Sequence, residues 1–164
     1  MNIEFIELKE NDFETIKKIY DYYILNSTVT FHTSKISIQA LKETISIDHP
    51  KYKSFLIKYN CKICGYCYLS QYKNRQAYDR TAEITVYLKP QYTGKGIGEL
   101  AIRKLEKVAG QKGISVLIGI ITGDNYQSIR LFEKCGFEKC AHFKQVGEKT
   151  GKILDVVAYQ KILE

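Results

Sequence analysis

Three glycines at alternate positions carry the strongest chemical signal in the 164-residue sequence. The segment Thr93–Gly98, which reads TGKGIG, follows a strand-like stretch that Pro90 ends and precedes an amphipathic, helix-like stretch. Glycines let a backbone adopt left-handed angles and approach a ligand closely, and the free N–H groups of a helix N-terminus attract anions. The segment therefore predicts a phosphate-binding turn, to which Lys95 adds a positive charge.

The turn alone leaves the phosphate ligand open. A P-loop is excluded because no G-x-x-x-x-G-K-[S/T] run occurs. A dinucleotide is a competitor, since Gly96–Ala101 reads G-x-G-x-x-A and Asp124 follows the next strand-like stretch. That unit begins in mid-chain, however, and leaves only residues 124–164 to build a second nucleotide-binding half.

Charge and cysteine content argue against two other kinds of site. The net charge of +7 is scattered along the chain, and we expect no nucleic-acid partner because phosphate backbones need clustered cations. Cys61, Cys64 and Cys67 have a metal-like spacing within a strand-like segment. Alternation along a strand places Cys64 on the face opposite the other two, so the three thiols cannot close a metal site. We expect no metal and reduced thiols.

The rest of the sequence favours a cytoplasmic protein with no membrane partner. The N-terminus has no signal-peptide pattern. The longest nearly uncharged apolar run, Ile114–Thr122, is much shorter than the ~20 residues that a membrane span needs.

Periodicity predicts the elements that position the turn, in the order β-α-α-β-β-β-α-β-α-β. The strand–turn–helix–strand unit in the middle is a crossover that makes its two strands parallel neighbours, whereas the early strands are hairpin-like. We therefore expect a mixed α/β or α+β fold that forms a single domain over residues 1–164. The predicted strands are Ile3–Leu8, Phe55–Tyr59, Lys62–Tyr72, Ala82–Leu88, Ser115–Ile121 and Lys152–Lys161.

Two segments together resemble the GNAT N-acetyltransferase superfamily. Residues 92–98, YTGKGIG, are similar to its pyrophosphate loop, and residues 125–137, NYQSIRLFEKCGF, are similar to its N-x-x-S-I-x-L-[YH]-E-K-x-G-F segment at the usual separation. Further stretches between about Tyr20 and Gln160 resemble the phosphinothricin N-acetyltransferase group. The resemblance implies a mixed, mostly antiparallel sheet flanked by helices and splayed between two central strands to admit the pantetheine arm of coenzyme A.

The resemblance also implies an activity and a set of site residues. The reaction is transfer of acetyl from acetyl-CoA to the primary amine of a small amino-acid-like substrate, by direct attack, in a homodimer without a metal. Glu83 matches the catalytic glutamate and lies on the strand face opposite the apolar residues, so we expect it to be the general base. Cofactor binding is implied for Val86, Tyr87, Leu88, Gly94, Lys95, Gly96, Ile97, Gly98, Asn125 and Ser128, and acceptor binding for Phe31, Arg75 and Tyr78.

Two positions depart from the family pattern. Thr93 stands where arginine or glutamine is usual, which removes a cation or an amide from the phosphate site. Phe132 stands where tyrosine or histidine is usual, and a phenyl ring can neither give nor take a proton. Acetylation of a polyamine, an antibiotic or a protein amine stays open as an alternative, as does a module that binds acyl-CoA without turnover.

Overall fold

A computed structural model describes all 164 residues. Four helices and seven strands make up the fold, and none of the helices is long and apolar enough to cross a membrane. The helices are α1 (Phe13–Asn26), α2 (Ile38–Thr44), α3 (Ile97–Gln111) and α4 (Tyr126–Lys134). The strands are β1 (Ile3–Glu7), β2 (Ser54–Tyr59), β3 (Lys62–Gln71), β4 (Thr81–Leu88), β5 (Val116–Thr122), β6 (Glu138–Lys149) and β7 (Lys152–Ile162).

All seven strands form one sheet in the order β1-β2-β3-β4-β5-β7-β6. Five of the neighbouring pairs are antiparallel, and the pair β4–β5, which α3 connects, is parallel. The crossover and the mixed, mostly antiparallel sheet are both confirmed. A doubly wound dinucleotide fold is excluded because its sheet is mostly parallel.

The parallel strands β4 and β5 diverge soon after they meet. Only Thr81–Glu83 of β4 pairs with Val116–Ile118 of β5. Beyond that point β4 stays paired to β3 as far as Leu88, and β5 stays paired to β7 as far as Thr122. The two central strands therefore enclose a wedge that no backbone hydrogen bonds bridge, which confirms the predicted splay.

The sheet is covered on both faces. A cluster of 22 buried residues lies on the side of α3, and a cluster of nine lies on the side of α1 and α2. Ala82 and Ile84 belong to the α3 side, whereas Tyr87 packs against the α1 side. Because side chains alternate along a strand, Glu83 and Thr85 share the face of Tyr87. The predicted division of β4 into an apolar and a polar face is confirmed.

Strand β6 is an addition to the predicted order, which assigned no element to residues 138–149. It forms the edge of the sheet and most of its side chains are exposed. A bulge also shifts its register to β7 between Phe143 and Gly147, with Gln145 at a φ of 58°. A strand that is largely exposed on both sides and interrupted by a bulge lacks the alternation from which strands are predicted.

The predicted placement of the cysteines is wrong in one respect. The pairing of β2 with β3 passes from Gly65 to Ile63, so Cys64 is an extra, bulged residue. The bulge turns Cys64 to the face of Cys67, and both thiols are fully buried in the α3-side cluster. Burial raises the pKa of both thiols. Cys61 is exposed, and no group of three His, Cys, Asp or Glu side chains is placed to hold a metal.

The close packing of β3 on β4 gives a test of this register. A Cβ at Gly65 would lie 2.3 Å from the carbonyl oxygen of Tyr87, which is backbone and cannot move aside. We expect Gly65→Ala to lower the free energy of unfolding by about 2 kcal/mol or more in a denaturant titration. Gly110→Ala is the control, because a Cβ there meets nothing within 4 Å on α3. It should raise stability by about 0.5–1 kcal/mol, and equal effects of the two changes would contradict the register.

Candidate active site

The wedge between β4 and β5 opens into a cavity of about 710 Å³. Its walls come from α1, the segment Ser27–Thr33 that follows it, β3, β4, the glycine turn, β5 and α4. Every wall except the turn and the segment is a regular element, so the cavity is largely set by the sheet and its helices. Ten residues of the predicted site line it, and so does Thr93; the ten are Phe31, Glu83, Val86, Tyr87, Leu88, Gly94, Gly96, Gly98, Asn125 and Ser128.

Glu83 lies at the point where the two central strands separate. It forms the last β4–β5 pair, with Ile118, and its half-buried carboxyl group faces the cavity. Burial raises the pKa of Glu83, and the positive charge of Lys73 opposes part of that rise. A carboxylate with a raised pKa holds a proton more firmly than an exposed one, which suits a general base.

The backbone of β4 offers free N–H groups beside Glu83. The carbonyl of Arg80 accepts from Ser115 N (2.8 Å) on the β5 side, and Lys89 N donates to Cys64 O (2.8 Å) on the β3 side. N–H groups alternate sides along a strand, so both bonds direct the N–H groups of Val86 and Leu88 into the wedge. They are donors that the sheet leaves for a ligand.

The glycine turn fulfils two different structural requirements. Gly94 and Gly96 have φ values of 72° and 82°, which side chains rarely adopt, and Gly96 is the N-cap of α3. Gly98 instead permits close packing, because a Cβ there would lie 2.8 Å from Leu131 on α4. The turn thus exposes the first N–H groups of α3 to the cavity. Ile97 is fully buried, so only its backbone could meet a ligand.

Positive charge at this end of the cavity comes from α4. Arg130 and Lys134 both line the cavity, and Arg130 forms no ion pair. Lys134 Nζ lies 2.8 Å from Glu99 Oε2 and lowers the pKa of that carboxyl. Glu99 therefore stays ionised, and the charge of Lys134 balances its negative charge. Lys95 is exposed and does not line the cavity. Arg130 therefore places an unpaired cation in the cavity that Thr93 also lines, and no sequence motif identified it.

Asn125 and its neighbour close the turn between β5 and α4. The Asn125 side chain accepts from Ser128 N (3.3 Å) and caps α4. Asp124 accepts from Thr28 Oγ1 (3.2 Å) and from Lys152 Nζ (2.7 Å), so it ties the Ser27–Thr33 segment to the sheet. Asp124 is thus occupied by protein contacts and not free for a ribose.

The three predicted acceptor-binding residues lie in two places. Phe31 lines the cavity and packs on Gly147 of β6, where a Cβ would lie 2.5 Å from its ring. Arg75 and Tyr78 lie on the connection between β3 and β4 and do not line the cavity; the guanidinium stacks 5.5 Å from the Tyr78 ring centre. A role of these two residues in acceptor binding stays a prediction.

Several tyrosines in the cavity wall were missed from the sequence. Tyr20 and Tyr23 come from α1 and Tyr68 from β3, and they surround Tyr87 on the α1 side of the sheet. Burial raises the pKa of each, so these phenols stay protonated. Tyr20 and Tyr23 are one helical turn apart, a spacing that could have indicated a shared face. Phe132 is buried against Gly119 and supplies no proton.

Comparisons with known proteins agree with this geometry. The family model described as "Acetyltransferase (GNAT) domain" matches residues 6–158. The phosphinothricin N-acetyltransferase of Streptomyces coelicolor is 26% identical over 94% of this chain and 92% of its own. The L-methionine sulfoximine/L-methionine sulfone acetyltransferase of Salmonella typhimurium is 32% identical over 64% of this chain and 61% of its own.

A solved structure is similar over nearly the whole chain. The GNAT superfamily phosphinothricin acetyltransferase of Sinorhizobium meliloti, in complex with AcCoA, superposes with a TM-score of 0.92 at 30% identity, covering 99% of this chain and 89% of that one. The splayed sheet and its cavity are those of an acyltransferase enzyme. The chain belongs to the GNAT acetyltransferase family, whose acyl donor is acetyl-CoA.

The position of Arg130 predicts its contribution to binding of the acyl donor. Charge-assisted hydrogen bonds to phosphate are worth about 1.5–3 kcal/mol, so we expect Arg130→Gln to raise the Kd of coenzyme A about tenfold or more in calorimetric titration. Lys112→Gln, at the opposite end of α3, removes the same charge far from the cavity and should leave the Kd unchanged. An unaltered Kd in the Arg130 variant would show that the arginine does not contact the ligand.

Proposed function

We propose that the protein transfers acetyl from acetyl-CoA to the primary amine of a small, amino-acid-like substrate, with Glu83 as general base. The observation that carries this proposal is the half-buried Glu83 carboxyl, with its raised pKa, at the apex of the wedge. It lies three and five residues before Val86 and Leu88, whose N–H groups point into the wedge. We further propose that residues 1–164 act as a single domain.

The donor is proposed to enter the wedge from the glycine turn. The N–H groups at the start of α3, with Arg130, would hold the pyrophosphate. The amide groups of the pantetheine arm could pair with the free edge of β4, in the way a further strand would. This arrangement directs the thioester toward the apex, where Glu83 lies.

The chemistry requires a neutral amine, support for the developing oxyanion and a departing thiolate. Glu83 would take a proton from the ammonium group of the acceptor, directly or through one water. The N–H of Val86, which points into the wedge, would donate to the carbonyl oxygen as it gains negative charge. No cysteine lines the cavity, and burial raises the pKa of the Cys64, Cys67 and Cys135 thiols, so none is placed to compete as a nucleophile.

The acceptor class is supported by the relatives and by the walls near Phe31. Two relatives are acetyltransferases of phosphinothricin and of methionine sulfoximine or sulfone, which are small amino acids with a tetrahedral phosphorus or sulfur centre. Phe31 would pack on the acceptor side chain. Arg75 stays the proposed partner of its carboxylate or phosphinate, provided that the connection between β3 and β4 turns toward the cavity. The free thiols fit the proposed reducing, cytoplasmic setting.

A panel of amines tests the function. With acetyl-CoA, we expect phosphinothricin, methionine sulfoximine or methionine sulfone to accelerate thiol release more than polyamines or a lysine peptide do. Preference for a polyamine or a peptide would show that the acceptor belongs to that class and is not amino-acid-like. Coenzyme A binding without acceleration by any amine would instead favour an acyl-CoA sensor.

The role of Glu83 gives a pH-dependent prediction. Only the ionised carboxylate accepts a proton, so kcat/KM should fall as the pH drops through the raised pKa of Glu83, which lies above the usual range for glutamate. Glu83→Gln should lower kcat about a hundredfold near neutral pH and remove this acid limb. Glu138→Gln, an exposed change on β6, is the control. Retention of the limb in the Glu83 variant would refute the assignment.

We also propose a homodimer that uses the β6–β7 hairpin. Phe143, Val146 and Ile153 of this hairpin are 51%, 59% and 54% exposed, and β6 leaves one sheet edge unpaired. Val146→Glu should therefore lower the mass measured by light scattering to that of one 18.9 kDa chain. Lys139→Glu, elsewhere on β6, should not. A wild-type protein that is monomeric at micromolar concentration would refute the proposal.

A further inference from the structure

A row of hydroxyl groups leads from the cavity to the surface of the protein. Tyr20 Oη lies 2.6 Å from Thr30 Oγ1 and 2.6 Å from Nδ1 of His32. Tyr20 and the buried Thr30 line the cavity, whereas the imidazole of His32 is exposed to solvent. These side chains connect the interior to bulk water without any intervening gap.

Tyr87 on β4 lies beside the inner end of the row. Its ring packs edge-on against the Tyr20 ring, with 5.5 Å between the ring centres, and Thr30 opposes the rise that burial gives to the pKa of Tyr87. Tyr87 shares its strand face with Thr85 and with Glu83 at the apex of the wedge. The row therefore begins in the same cavity as the Glu83 carboxyl. We call the following three side chains the hydroxyl chain: Thr30, Tyr20 and His32.

The tautomer of His32 sets the direction of the row. Each hydroxyl has one proton to donate. When Nδ1 of His32 accepts from Tyr20, Tyr20 has no proton left for Thr30 and must accept from it. Thr30 is then left to accept from a donor in the cavity that it lines. In this tautomer both hydroxyl groups point from the cavity toward His32, whose Nε2 carries the remaining ring proton and is free to exchange it with water.

The proposed acetylation releases a proton that needs such a route. An ammonium group arrives with three protons; the C–N bond forms, the C–S bond breaks, the amide keeps one proton and the departing sulfur takes one. One proton per turnover remains, and Glu83 must lose it before it can act again. Phe132, in the wall where a titratable side chain is usual, cannot carry it.

We infer that the hydroxyl chain is a proton relay that carries this surplus proton from the cavity to solvent at His32. In each passage Thr30 receives a proton from the cavity and gives its own to Tyr20, and Tyr20 gives its own to Nδ1 of His32. The imidazolium then releases its Nε2 proton to water. Exchange with water moves the proton of the neutral ring from Nδ1 back to Nε2, and rotation of the hydroxyl groups restores the starting order. The inference rests on the proposed N-acetylation.

Chemical rescue tests the relay on the full-length protein. In dilute buffer with both substrates saturating, we expect His32→Ala to lower kcat about tenfold, with the KM of either substrate changed less than twofold. Added imidazole should restore kcat in proportion to its concentration, because it replaces the missing proton acceptor. Tyr20→Phe breaks the relay inside the protein, so it should lower kcat similarly but resist rescue. Thr33→Ala, an exposed change beside His32, should behave like the wild type in every buffer.

Each other result has a defined meaning. An unchanged kcat in His32→Ala overturns the relay, as does a loss that imidazole fails to restore while the melting temperature is unchanged. Rescue of Tyr20→Phe by imidazole also overturns it, since the proton would then leave by another path. If none of the amines accelerates thiol release by the wild-type protein, the proposed function has failed, and that result is distinct from a failure of the relay.

Discussion

The divergence of β4 from β5 is the constraint on which the rest of the structure depends. Parallel strands in the middle of a sheet normally pair along their whole length, because unpaired N–H and C=O groups in a buried place are costly. Here pairing ends at Glu83 and Ile118, and each strand keeps only its outer neighbour. The gap is tolerable because it is open to water or to a ligand with its own amides. The same gap sets Glu83 at the apex and turns the N–H of Val86 toward whatever enters.

Hydrogen bonds at the edge of the wedge fix the elements that surround it. The Ser27–Thr33 segment is tied to β5 by Thr122 Oγ1, which donates to Thr28 O (2.9 Å), and to β6 by the buried Lys149, whose Nζ donates to Thr30 O (2.7 Å). The Tyr23 hydroxyl donates to Leu88 O at the end of β4 and so uses one of the carbonyls that the splay leaves free. Burial lowers the pKa of Lys149, which has no carboxylate partner. This side of the cavity is thus held by hydrogen bonds to backbone and by Asp124, which joins Thr28 to Lys152.

The sequence predicted those parts whose signal is local. The alternation of Ala82–Leu88, the glycines at 94 and 96 and the stripe of α3 each lie within a few residues, and together they specify the crossover. Strand β6 and the bulge at Cys64 depend on how one strand meets another, and no short window encodes that. Arg130 and the tyrosines of α1 reach the cavity only through tertiary packing. The resemblance supplied Glu83 and the donor, whereas Arg75 and Tyr78 lie outside the cavity and their assignment still depends on the resemblance alone.

The bulge that buries Cys64 beside Cys67 also makes the rate at which the α3-side core opens measurable. Cys64, Cys67 and Cys135 are at most 1% exposed, whereas Cys61 and Cys140 lie at the surface. A small alkylating reagent in solvent therefore meets two thiols at once and the other three only when the α3-side core separates. The spacing in time between the second and third additions of mass measures how often that core opens, and filling the wedge with the acyl donor should lengthen it.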